Sequence, residues 1–141
     1  MSSAYESADL LMKLYDLRRE TTMREARNWY FREFNPSSAD DVMQTVMGPH
    51  SDHLRMVVSY WDMAASFVLN GAVDEQMFND ANGEQLGVYM KLEPLLPDVR
   101  TKMGNPGYLA NLEKVVSRRP GAKEMMAALW ERLRAAAPAG R

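Results

Sequence analysis

Residues 54–71 read LRMVVSYWDMAASFVLNG, a nearly continuous apolar block. Its polar members, Arg55, Ser59, Asp62, Ser66 and Asn70, follow one another at steps of four, three, four and four. Steps of three and four return to the same side of an α-helix, so these side chains form one thin stripe. A helix that is apolar everywhere else buries its other faces, which predicts a central buried helix near 54–70 with a single edge toward water. Asn70-Gly71 supplies the end, because glycine tolerates the left-handed conformation found at helix C-termini.

The remainder reads as helix too. Ile is absent, Val and Thr are sparse, no segment alternates apolar with polar, and Met occurs 12 times beside Ala, Leu, Glu and Arg. That composition favours helix over strand. A long N-terminal helix is expected over 4–34, with Tyr5, Ala8, Leu11, Met12 and Tyr15 sharing a face. Its middle, RRETTMREARN, is strongly polar, so the helix bends near Thr21-Thr22 or projects beyond the core, and its apolar ends suit pairing with a second copy. Ser38 caps a short helix ended by Gly48-Pro49, and Ser51 caps the central one. Asp74 opens a helical segment, 74–103, antiparallel to the central helix, interrupted at Asn82-Gly83 and divided by Pro94 and Pro97. After the break Gly104-Asn105-Pro106-Gly107 comes a helix bearing Leu109, Leu112, Val115 and Val116. Pro120 is expected in the first turn of a last helix carrying Met125, Met126, Leu129, Trp130 and Leu133. Residues 135–141 should fray. The expectation is an all-α fold: one compact domain over 1–141, built from five to seven helices.

Composition narrows the function classes. A chain of 141 residues is one ordinary domain. With no cysteine, disulfides, thiolate catalysis and Cys-ligated metal sites are excluded. The start MSSAYESADLL lacks a basic n-region, and the apolar window 54–69 is too short for a membrane span and contains Arg55 and Asp62. A cytoplasmic protein of bacterial type, with no membrane association, is therefore expected. The net charge of −2 is unevenly spread: residues 36–99 carry ten acids against Arg55 and Lys91, whereas residues 100–141 carry nine bases and three acids. These regions are expected to neutralise each other within the fold or across a dimer. The alternative is a basic surface around Arg118, Arg119, Lys123, Arg132 and Arg134, but overall acidity and the lack of interleaved aromatics argue against nucleic acid.

Three stretches taken in order resemble a bacterial family of small all-helical domains of unknown function. They are MREARNWYFREF, YWDMAASFVLNGAVDEQMF, and YMKLEPLLPDVR followed by YLANLEKVV. The residues that carry the resemblance are Arg24, Glu25, Ala26 and Arg27; Tyr60, Trp61 and Asp62; Gly71 and Asp74; Tyr89, Leu92, Pro94 and Arg100; and Tyr108, Leu112 and Glu113, spanning roughly 23–116. Asp62 stands where the family's pattern more often has Glu. The resemblance implies an all-helical fold and no established activity.

Asp62 is the leading site candidate. Among Tyr60, Trp61 and Met63 its carboxyl could be held protonated for acid–base work, or it could form a structural ion pair. Arg55 lies two turns away, about 10 Å along the axis, so direct contact needs an intermediary such as Ser59, or an arginine from another helix, Arg27 or Arg100. The structural ion pair is the better-supported reading, since no histidine, second carboxylate or phosphate loop accompanies Asp62. Asp62, Arg55, Ser59, Tyr60, Trp61 and Arg100 are retained as a candidate ligand-binding set, and no catalytic residue is assigned. His50 and His53 have the spacing of two metal ligands on one helical turn, but zinc needs three or four protein ligands, so they are weak metal candidates. The Met-rich faces (Met43, Met47, Met56, Met63, Met77, Met90, Met125, Met126) read as adaptable core filler rather than a peptide groove. No cofactor is expected. The function these residues suggest is a non-enzymatic structural or protein-interaction module that forms a homo-oligomer, most simply a dimer, or binds a protein partner. The alternative is a small-ligand-binding regulatory module with a pocket bordered by the Asp62 stripe, which an Asp62 lacking a basic partner would favour.

Overall fold

Ser3 begins the first helix with a reciprocal pair of hydrogen bonds: its hydroxyl accepts from the Glu6 amide at 3.1 Å and its own amide donates to the Glu6 carboxylate at 3.0 Å. Helix α1 then runs Ala4–Arg18 and α2 runs Thr21–Arg32. The helix expected over 4–34 is therefore two, and the cause is Glu20. Its carboxylate accepts from the amides of Thr22 and Met23, both at 3.0 Å, starting a new helix where the old one would have continued. The computed structural model describes residues 2–136 and contains nine α-helices with one short 3-10 turn among them. The remaining helices are α3 (Ala39–Met47), α4 (Ser51–Leu69), α5 (Glu75–Ala81), α6 (Glu84–Leu92), α7 (Leu96–Met103), α8 (Ala110–Arg118) and α9 (Ala122–Ala136), with the 3-10 turn at Glu93–Leu95. None of the described residues is in a strand.

The count exceeds the expected five to seven because each local break ends a helix outright. Asn82-Gly83 separates α5 from α6, and Pro94 and Pro97 hold the 3-10 turn between α6 and α7. Ser38 and Asp74 cap as expected, accepting from Asp41 N and Met77 N. Ser51 does not cap α4: the capping position falls on His50, which makes no side-chain cap bond. Pro120 precedes α9 rather than sitting in its first turn, since Gly121, at φ 73°, intervenes. Of the tail expected to fray, Ala135 and Ala136 are helical and 137–141 lie outside the described residues.

Helix α4 is central as its sequence predicts, but it packs most extensively on α2 and α8 rather than on the 74–103 segment. Trp61, Leu54, Val57, Ala64 and Ala65 are sealed in the core, whereas Arg55, Ser59 and Asn70 stay exposed. A second helix is enclosed more completely: every residue of α6 from Gln85 to Leu92 is buried. Gly87 makes that possible on one side, since a Cβ there would come within 3.1 Å of the Phe31 ring. The Met residues divide: Met23, Met90 and Met126 fill the core, while Met12, Met47, Met63 and Met125 are exposed.

Candidate functional site

Helix α8 begins awkwardly. Leu109, at its capping position, has left-handed backbone (φ 57°, ψ 26°) and no side chain able to accept from the first amides. Asp62, reaching from α4, supplies what is missing. Its Oδ1 accepts from Leu112 N at 3.0 Å and its Oδ2 from Asn111 Nδ2 at 3.2 Å. A carboxylate at the positive end of a helix is favoured by charge as well as by hydrogen bonding. The expected partner arginines are engaged elsewhere. Arg27 pairs with Glu84 at 2.6 Å; Arg100 pairs with Glu113 at 3.0 Å and donates to Tyr108 O at 2.9 Å. The ion pair predicted for Asp62 is thus replaced by a helix terminus.

Arg55, Ser59 and Asp62 do share one cavity wall with Val58 of the same helix, with Val46, Met103 and Tyr108 supplied by other parts of the chain, around about 580 Å³. Burial, together with the Asp62 charge, pushes the Tyr108 hydroxyl up to about 12. At that wall the Arg55 guanidinium pairs with its exposed neighbour Asp52 at 2.5 Å. The other candidates do not join this cavity: Tyr60 donates to Leu14 O at 2.6 Å, and Arg100 lies outside the lining.

Trp61 belongs to a different cluster, centred on Glu84. That carboxylate accepts from Arg27 Nε and Nη2 at 3.0 and 2.6 Å and from Trp61 Nε1 at 3.1 Å. Arg27 Nη1 donates in turn to Arg18 O at 3.1 Å, and the Arg18 guanidinium lies 5.3 Å from the Trp61 ring centre. One acid thereby ties α1, α2, α4 and α6 together. With its lone pairs committed to a bidentate guanidinium and an indole, it serves as a structural clamp rather than a proton carrier.

Lys91 is the second polar group that sequence reading overlooked. Buried in α6, its Nζ donates to Tyr30 O at 2.7 Å, Phe34 O at 2.8 Å and Asn35 Oδ1 at 3.3 Å. It closes the C-terminus of α2, where a cation is favoured, and among the described residues no carboxylate pairs with it. Burial pulls its ammonium down to about 8. A signal did exist: Lys91 is one of two bases among ten acids and sits in the apolar run VYMKLEPLL.

His50 stacks on Trp29 at 5.1 Å between ring centres, His53 lies tilted against the same ring at 5.9 Å, and the two imidazoles are 5.7 Å apart. Among the described residues no group of three side chains could hold a metal ion. The acidic middle and basic end meet, as expected, through Asp40–Lys102 at 3.0 Å and Glu75–Arg118. No described helix is long and apolar enough to cross a membrane.

No curated protein and no solved structure matches the chain. Residues 3–119, which hold the Asp62 cap, the Glu84 clamp and Lys91, match a domain of unknown function, DUF4760. The chain belongs to that family.

Proposed function

We propose that this protein is a non-enzymatic helical module that self-associates through α1. The observation that carries this reading is the outer face of that helix. Tyr5, Met12 and Tyr15 are 83%, 66% and 49% exposed on that face, Leu17 is exposed on another side, and Ser7 and Leu14 are buried against the body. Tyr5, Ala8, Met12 and Tyr15 fall at alternating steps of three and four, the spacing of a helix–helix seam. Aromatic and Met side chains exposed to this degree present a patch on the order of 400 Å², and a stable dimer needs about 800 Å² from each partner. The stripe suffices as the apolar centre of such an interface, with Glu6, Asp9, Lys13 and Arg19 as its charged rim. Tyr15 is held in place by Arg18 and Arg19, 5.5 and 5.7 Å from its ring centre.

Sedimentation of the purified chain tests this directly. The expected result is a dimer that Tyr5→Ser with Met12→Ser converts to a folded monomer of unchanged helix content, whose melting temperature no longer rises with protein concentration as the wild type's does. A wild-type chain that stays monomeric at high micromolar concentration ends the proposal. The reading also takes the protein to be bacterial and cytoplasmic, on the sequence grounds given above.

The second reading, a ligand-binding regulatory module, gains from a separate observation: Asp62 borders a cavity and has no basic partner among the described residues; it stays second because both carboxylate oxygens are already taken at the start of α8. A thermal-shift screen of metals and nucleotides, repeated on Asp62→Asn, tests it, since a ligand held only by the folded state raises the melting temperature. A response that Asp62→Asn leaves intact would remove Asp62 from that site.

A further inference from the structure

The family match ends at residue 119, and α9 is the one described helix beyond it. Ala122 and Met126 bury against the body, but Leu129, Trp130 and Leu133 remain half-buried. Between α9 and the pair α2–α6 runs an open groove of about 480 Å³, within the range of small-molecule sites. Its walls are Phe31, Leu86, Met125 and Leu129, with Gly83 at one end. A Cβ on Gly83 would find no atom within 4 Å, so the space there is open.

Two charged side chains border this apolar trough, Glu84 and Arg132. Glu84 is fully engaged by Arg27 and Trp61. Arg132 forms no ion pair and no side-chain hydrogen bond among the described residues, whereas Arg118, Arg119 and Arg134 each have a partner. A trough lined by carbon and bordered by one unpartnered guanidinium fits a particular chemistry. The guanidinium takes a carboxylate through two parallel hydrogen bonds, and the trough takes an alkyl chain. An alcohol of the same length would leave Arg132 unpaired, a bare phosphate would leave the trough empty, and a cationic amphiphile would be repelled.

We propose that the α6–α9 groove binds a free medium-chain fatty carboxylate, with its headgroup on Arg132 and its chain along Phe31, Leu86 and Leu129. The site is separate from the α1 face, so neither proposal depends on the other. The experiment titrates decanoate, below its micellar concentration, into the full chain by calorimetry, with melting temperature recorded in parallel. Decanol, decyltrimethylammonium and anionic phospholipid vesicles serve as comparison arms. Saturable binding of decanoate is expected, weakened about tenfold or more in Arg132→Gln, as removal of a charge-assisted hydrogen-bond pair requires. Gly83→Leu, which fills the open end, should abolish binding; Ala128→Phe does the same from the α9 side should the first variant fold poorly. The proposal is overturned if decanol binds as tightly as decanoate, if only vesicles bind, if nothing binds, if Arg132→Gln binds like the wild type, or if both groove-filling variants do.

Discussion

Asp62, Glu84 and Lys91 each complete a structure built by residues far away in the chain. For Asp62 the consequence is measurable. Asp62→Ala removes the acceptor for Leu112 N and should lower the unfolding free energy by about 1–2 kcal/mol in urea titrations, the usual cost of a lost N-cap. Asp62→Asn keeps a carbonyl acceptor and loses only the charge, so about half that loss or less is expected. A D62N variant as unstable as D62A would show that charge dominates. Glu84→Gln should cost more, about 2 kcal/mol or above, because it leaves the half-buried Arg27 guanidinium without its carboxylate. At this scale the sequence showed where polar groups lie but not whom they meet. The spacing of the stripe singled out Asp62 correctly as a side chain needing a partner. Nothing in one dimension distinguishes a partner arginine from a partner helix end, and Glu84 looks like any acid in a first helical turn.

Helix ends decide the elements. Gly104 closes α7 in left-handed backbone at φ 66° with no atom near its absent Cβ, so Gly104→Ala isolates backbone strain and should cost about 1 kcal/mol. Gly83→Ala is the comparison: its φ of −111° suits any residue and its surroundings are equally open, so strain is absent and only alanine's weaker N-capping, about 0.5 kcal/mol, is expected. Equal losses at the two positions would mean that φ is not the cause. Capping signals were the most legible part of the chain, because Ser38, Asp74, Asn82-Gly83 and the prolines act on their immediate neighbours. Two elements escaped. Glu20 is an unusual capping residue, so the α1–α2 break was anticipated only as a bend. Helix α6 hid its complete burial behind Gln85, Gly87 and Lys91, whose polarity or size breaks the apolar pattern although each is enclosed.

Whole-molecule stability should vary with pH in a way set by the enclosed lysine and tyrosines. Lys91 releases its proton near 8 in the folded state, against 10.5 ordinarily, so between those values the unfolded chain holds the extra proton and stability rises with pH. Tyr60, Tyr89 and Tyr108 act oppositely. Burial raises each from 10.0 to about 12, so their contribution is complete below 10 and is lost as pH climbs toward 12. Denaturation midpoints measured across this range should pass through a maximum between 8 and 12, and Lys91→Met should remove the rising limb while leaving the falling one. The same lysine bears on how the chain acquires its shape during synthesis. The end of α2 waits for a side chain 57 positions downstream of Phe34, and the start of α8 is finished by one 50 positions upstream of Leu112. A nascent chain released only as far as α5 holds the carbonyls of α2 without their donor, and α8 cut out as a peptide lacks its acceptor. Neither fragment contains every partner that its helix ends use, so each should be less helical alone than in the whole chain, which circular dichroism of the two fragments checks.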